Sequence, residues 1–155
     1  MDALSSACLE PAQTCACHTL RSLSRRATRW YESHLAEWDL TAGQFTLLII
    51  LHIKGPISLT TVAEMVGSDR TTLYRSIKPL QDRGYLTSKP NPEDARARLH
   101  TLSAKGRRVL EHALPRWREA QSGFVRAVGE ERWGLLFPDL ARLSTAVDDL
   151  LATLD

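Results

Sequence analysis

A mainly α fold with a small β wing is what this sequence predicts, and three observations predict it. Apolar residues recur at helical spacing through much of the chain, with Leu73, Ile77 and Leu80 as the clearest stripe in its middle. Two short helical stretches, 59–66 and 70–83, are separated only by Gly67, Ser68 and Asp69. Glycine there can take the positive φ that ends a helix, and Ser68 or Asp69 can accept the first backbone N–H bonds of the next. Tyr85, Leu86 and Thr87 then read as a strand, and residues 89–98 (KPNPEDARAR) read as a turn, because Pro90 and Pro92 around Asn91 oppose helix. That order is a helix-turn-helix followed by a wing.

The remaining elements follow in sequence. Residues 1–14 are expected to be a loose terminus, and 15–155 a single domain. A first long helix at about 17–38 carries Leu20, Leu23, Ala27, Trp30, Tyr31, Leu35 and Trp38 at helical spacing. Thr41 and Gln44 form a capping-box pattern that opens a nearly all-apolar helix over 42–54. Gly55 and Pro56 end it, and Ile57 can add a short strand to the wing sheet, so the winged unit spans about 42–103. Ser103 caps a helix over about 104–126, with Pro115 predicting a kink. A last helix starting near Glu130 repeats Leu136, Leu140, Leu143, Val147, Leu150 and Leu154 at alternating spacings of four and three. This coiled-coil-like seam, sustained to the terminus, predicts a homodimer built by the helices at 17–38 and 104–155; packing of the last helix on its own first helix is the bland alternative.

Composition narrows the function classes. The chain of 155 residues is 43% hydrophobic and 25% charged, ordinary for a globular domain. Its net charge is only +2, with Arg21, Arg25, Arg26 and Arg29 early and most other cations between 70 and 108. Such a basic middle on a near-neutral chain suits a specific, salt-sensitive anionic partner better than bulk coating of nucleic acid. The first 14 residues lack a secretory pattern and no stretch is long enough to span a membrane, so a cytoplasmic protein with no membrane partner is expected. No phosphate loop, HExxH or nucleophile elbow occurs, and His18, His34, His52, His100 and His112 are scattered, so neither an enzyme nor a cofactor is expected.

Opposite the Leu73/Ile77/Leu80 stripe lie Thr71, Arg75, Lys78 and Asp82, with Thr72 and Tyr74 on the flanks. Charged outer faces are most often merely solvated. Here the tight turn, the following strand and the basic hairpin tip favour a helix for the major groove, in which Arg and Lys reach phosphates and guanine edges and Thr meets phosphates or thymine methyls. Candidate DNA-binding residues are Ser68, Arg70, Thr71, Thr72, Arg75, Lys78 and Lys89, with Arg96 or Arg98 laid along a minor groove. A winged module that binds a partner protein instead is the rival from another class.

The run DRTTLYRSIKPLQDRGYL, followed by NPEDARAR, LHTLSAKGR and a long carboxy-terminal helix, resembles the MarR (multiple antibiotic resistance regulator) family from about Cys17 to the end. The resemblance implies two-fold dimers on double-stranded, pseudo-palindromic DNA, usually acting as repressors. It also implies that Asp94 holds the wing arginine, Arg96. Where the family often has D-x-R-D-x-R, this chain has Ala95 and Ala97 between its charges, which leaves Arg96 and Arg98 both open.

The resemblance further implies a small-molecule effector pocket between dimerisation helices and DNA-binding lobe. Candidates are His18, Arg21, Trp30, Tyr31 and His34 from the first helix and Phe45 from the second. An apolar crevice with an Arg and a His suits an aromatic carboxylate or phenol. Cys8, Cys15, Cys17 and His18 admit three readings: a soft-metal or metalloid site, a redox thiol, or small residues at a helix start. Cys17 falls where the organic-hydroperoxide-sensing members carry their reactive cysteine and Tyr31 where they carry a supporting tyrosine, but Arg21 replaces their other tyrosine.

Overall fold

A computed structural model describes residues 4, 8–92, 94 and 97–154. The elements are α1 (Leu9–Thr14), α2 (Ala16–Leu35) with a 3-10 turn at Ala36–Trp38, α3 (Ala42–Lys54), β1 (Ile57–Ser58), α4 (Leu59–Val66), α5 (Arg70–Asp82), β2 (Leu86–Pro90), β3 (Arg98–Leu102), α6 (Ala104–Val128) and α7 (Glu130–Leu151). The sheet is antiparallel with β3 in the middle: Ile57 stands opposite His100 on one side, and Ser88 opposite His100 on the other. The mainly α fold with a β wing is as expected. Two compact units divide the chain, meeting between Trp117 and Arg118 inside α6.

The ends of the helices have local causes. Thr41 Oγ1 accepts from Gln44 N at 3.1 Å while Gln44 Oε1 accepts from Thr41 N at 3.1 Å, the expected capping box. Ser58 caps α4 by accepting from Thr61 N. Gly67, at φ 60°, closes α4, and Asp69, not Ser68, caps α5. Two expectations need correction. Part of the terminus expected to be loose is helical, since Leu9–Thr14 forms α1 with Pro11 in its first turn, where a missing N–H costs nothing. Leu154 is not part of a helical seam: α7 stops at Leu151, and the Thr153 hydroxyl donates to Leu150 O at 2.7 Å, taking a terminal carbonyl.

The core of the first unit gathers Leu35, Phe45, Leu48, Leu51, Val62, Ile77 and Leu80, all fully buried. Each contributes about 2 kcal/mol by area removed from water. Gln44 is buried among them yet satisfied, because its Nε2 donates to Ser76 O at 3.3 Å and so pins α5 to the start of α3. Glu32 on α2 accepts from Ala42 N at 3.2 Å, bringing a carboxylate to the positive end of α3. In the second unit, Trp133 meets Phe124 edge-on with ring centroids 5.4 Å apart and Phe137 at 5.4 Å, which closes the α6–α7 turn at Gly129.

The LSAKGR run forms a clasp. Ser103 Oγ donates to Gly84 O at 2.7 Å and accepts from Gly106 N at 3.0 Å; Ser103 N donates to Tyr85 O at 2.9 Å. Lys105 Nζ donates to Arg83 O at 2.8 Å and lies over the Tyr85 ring. A Cβ on Gly106 would fall 2.1 Å from Tyr85 O, closer than any atom pair tolerates. Gly106→Ala is therefore expected to lose about 3 kcal/mol or more in urea denaturation, and Ser103→Ala about 1 kcal/mol. A Gly106→Ala protein as stable as wild type would show that the clasp does not hold in solution.

Candidate nucleic-acid interface

The outer face of α5 is set by its buried one. With Leu73, Ile77 and Leu80 turned into the core, Arg70, Thr71, Arg75 and Lys78 are all exposed, together with half-exposed Tyr74. Among the described residues neither Arg70 nor Arg75 has a protein partner, so both guanidiniums are available to an anion or a base edge. Lys78 is engaged with Asp82 one turn on, and the carboxylate holds its ammonium above the ordinary lysine range. That exposed pair is weak and exchangeable.

Two predicted contacts have other work. The Thr72 hydroxyl donates to Asp69 Oδ2 at 2.6 Å, and its N–H donates to Asp69 Oδ1 at 2.8 Å. These bonds, the side-chain one first, hold Asp69 below the ordinary carboxylate range. The cap is thus intact above the unfolded value and lost as pH falls through the folded one. Thr72 therefore supports the start of α5 and leaves only its methyl outward. Ser68 is half-buried and lines a small apolar pocket with Leu47, Val66 and Leu73, facing α3 rather than outward.

On the wing, Lys89 is exposed on β2 opposite Leu99. Arg98 folds back across the hairpin: Nε donates to Ser88 Oγ and Nη2 to Ser88 O, both at 3.1 Å. Asn91 N donates to Ala97 O at 3.0 Å and Ala97 N to Asp94 O at 2.9 Å, closing the tip. Arg96 lies outside the described residues. Between wing and α5 opens a cleft of about 350 Å³, lined by Arg70, Tyr74, Gln81, Ser88, Arg98 and His100 among others. The sequence reading missed Gln81 and His100, 19 residues apart in the chain, whose Nε2 and Nδ1 stand 3.4 Å apart.

The effector candidates do not assemble into one pocket within the first unit. Phe45 is fully buried and stacks on Trp117 at 6.0 Å, so it is core rather than pocket lining. Tyr31 also stacks on Trp117 with ring centroids 6.4 Å apart, and burial raises its phenol above the ordinary range. Trp117 is the missed residue; nothing local marks it. Trp30 points away from Tyr31, half-exposed against His34 at 4.6 Å. His18 and Arg21 lie exposed near the start of α2, well over a helical turn from the others.

Cys8, Cys15 and Cys17 are free and exposed. Among the described residues no group of three or more His, Cys, Asp or Glu side chains is placed to hold a metal, so the predicted Cys8/Cys15/Cys17/His18 set is not brought together in one chain. The reason is helical geometry, since residues two apart point to different sides. Arg21 Nη2 stands 3.8 Å from Cys17 Sγ.

If Arg75 reads a base edge, Arg75→Ala is expected to lose about 1–3 kcal/mol of binding to a preferred duplex and to relax preference at one position. Lys89→Ala should weaken all duplexes alike and reduce the salt slope by about one. Both are read by fluorescence anisotropy across salt concentrations; wild-type behaviour of both variants would refute the groove assignment.

Comparison with known proteins agrees with this geometry. The MarR family model matches residues 40–97. The structure of the M. tuberculosis transcriptional regulator MosR in complex with DNA superposes with a TM-score of 0.78 at 31% identity, covering 88% of this chain and 98% of that one. The Streptomyces coelicolor regulator PcaV, in complex with its natural ligand, gives a TM-score of 0.79 at 25% identity, covering 87% and 95%. The organic hydroperoxide resistance transcriptional regulator of Bacillus subtilis is 28% identical over 140 residues, 89% of this chain and 88% of the relative. This chain, a mainly α fold with a small β wing, belongs to the MarR family of DNA-binding transcriptional regulators.

Proposed function

We propose that this protein is a homodimeric repressor that binds a pseudo-palindromic operator and is released by a small aromatic or phenolic effector. The observation that carries the dimer is α7. Leu136, Leu143, Val147 and Leu150 recur along it, and all four are exposed in the single chain. Leu140 continues the same stripe half-buried. A contiguous apolar stripe of this kind marks an interface, and a second copy of the same helix is its natural complement. Two lobes joined two-fold would present one α5 to each half-site.

Effector release is supported by chemistry at α2 and at Trp117 of α6 and by PcaV, whose structure holds its natural ligand. Tyr31 brings a phenol beside the Trp117 face, and Arg26 and Arg29 flank Trp30 on a surface depression of about 350 Å³. A ligand shifts the regulator only by its differential affinity for the DNA-competent and released dimers. The soluble cytoplasmic setting expected from the sequence fits this role, and among the described residues no helix is long and apolar enough to cross a membrane. A second reading rests on Cys17. It is exposed beside the Arg21 guanidinium, and one relative is an organic hydroperoxide regulator. In that reading an oxidised Cys17 replaces the aromatic ligand as the release signal.

Leu143→Asp with Leu150→Asp is expected to give monomers in sedimentation and to weaken operator binding by about 100-fold or more, the loss of one linked half-site. A double variant that remains dimeric would remove α7 from the interface. For the signal, Cys17→Ser should keep DNA affinity within about 0.5 kcal/mol, as surface substitutions do. Operator release measured with peroxide and with a panel of aromatic acids then separates the readings. Release by an aromatic acid, unchanged in Cys17→Ser, supports the effector; release by peroxide that Cys17→Ser abolishes supports the thiol.

A further inference from the structure

His100 is the buried histidine of this chain among the described residues; the other four are exposed or half-exposed. It sits on the central strand of the wing sheet, with Gln81 Nε2 of the recognition helix 3.4 Å from its Nδ1. Though shielded from bulk solvent, the ring borders the cleft between wing and α5. Facing it there are Arg70 and Tyr74 from α5, the uncharged start of α4 beyond Ser58, and Ser88 and Arg98 from the wing. No carboxylate lines the cleft among the described residues, so two guanidiniums and an imidazole meet without a counter-charge.

DNA supplies that charge in a fixed place. Adjacent major and minor grooves are separated by a single phosphodiester strand. A lobe whose α5 lies in one groove and whose wing lies in the next must straddle that strand, and the cleft is the gap between the two. This step rests on the groove assignment above.

We propose that the cleft is a proton-linked seat for a DNA-backbone phosphodiester, with His100 neutral in the free protein and taking up one proton as the phosphate settles between Arg70 and Arg98. The phosphodiester keeps its permanent negative charge, and the added proton comes from solvent, so no bond to DNA forms or breaks. Burial first, and the Arg98 charge second, hold His100 below the ordinary histidine range when the cleft is empty. An anion at hydrogen-bond range favours the imidazolium and raises that value. Between the empty and filled values, binding draws in a proton, so DNA affinity rises as pH falls through that interval. The gain is up to about tenfold per pH unit for each lobe and flattens once both states are protonated.

The test uses the full-length protein and a duplex that the wild type selects from a random pool at pH 7.5. Selection of such a duplex tests the groove assignment by itself, independently of any proton. Titration of the His100 ring resonances in wild-type protein should then give a higher midpoint with the duplex bound than without it. Calorimetry in buffers of different ionisation enthalpy should show net proton uptake near pH 6, and affinity should rise several-fold from pH 7.5 to 6. His100→Gln keeps a hydrogen-bonding side chain without a titrating proton; it should lose most of the rise in affinity between pH 7.5 and 6, whatever its affinity at pH 7.5. Inorganic phosphate at the duplex's phosphate concentration should leave the resonance in place, because only a strand held at both grooves positions the anion. The proposal is overturned by a ring midpoint that does not rise with duplex, by equal proton uptake in His100→Gln, by affinity that falls on acidification as an imidazolium forces the wing off α5, or by an equal shift with inorganic phosphate, which would make the cleft a free-anion site. If His100→Gln proves unstable at pH 7.5, the wild-type ring titration alone decides.

Discussion

The clasp between Gly84 and Gly106 is the constraint on which the rest of the reading lobe depends. One serine hydroxyl both ends the turn after α5 and starts α6, donating to Gly84 O and accepting from Gly106 N. Ser103 N also donates to Tyr85 O, one step beyond the Leu86–Leu102 end of the β2–β3 pairing. Recognition helix, wing and the first turns of α6 are thereby fixed to one another by bonds that would all have to break together. Gln44 does the equivalent at the other end of the lobe, tying α3 to the carbonyl of Ser76 in mid-α5. A buried amide with both ends satisfied specifies one register of α5 against the core, where an apolar side chain would tolerate several. Gln44 and the Ser103 clasp thus tie α5 to the lobe near its middle and at its end.

Much of the lobe was legible in the sequence because its causes are local. Thr41 with Gln44, Gly67 before Asp69, and the Leu73/Ile77/Leu80 stripe each depend on residues within one or two turns, and α3 and α4 begin and end where those signals place them. The same reasoning failed where a side chain's partner is distant or where two local uses compete. Thr72 reads as a groove contact until Asp69 takes its hydroxyl. Arg98 reads as a free wing cation until its pairing with Pro90 leaves the guanidinium within reach of Ser88, two residues back on β2. Trp117, stacked with both Tyr31 and Phe45, carries no signal in its own neighbourhood, and Phe45 reads as equally fit for core and pocket. The N-terminal cysteines are near in sequence, but a helix separates residues two apart, and that periodicity undoes the metal set that spacing alone suggested.

The thiols and the aromatics answer to different physics. Cys17 is solvent-accessible beside a guanidinium, a setting in which reaction depends on access and charge. Tyr31 is packed against an indole, a setting in which a ligand would have to move or replace packed rings. Displacing such packing costs energy that the ligand must recover from its own contacts, so an aromatic effector of similar shape is favoured over a polar one.

The charge distribution shows how a chain of net charge +2 can still choose among DNA sequences. Of the described cations on this surface, Lys78 is shared with Asp82 and Arg98 is held on the hairpin, while Arg70, Arg75 and the exposed Lys89 have no protein partner among the described residues. Each free cation that meets a phosphate releases counterions, so attachment to arbitrary sequence scales with their number. Correct placement of one lobe is worth most when a second is linked to it, because the second then binds at high effective concentration. In the proposed dimer, the exposed apolar stripe of α7 would link two copies of α5, and placement of one on DNA would raise the effective concentration of the other.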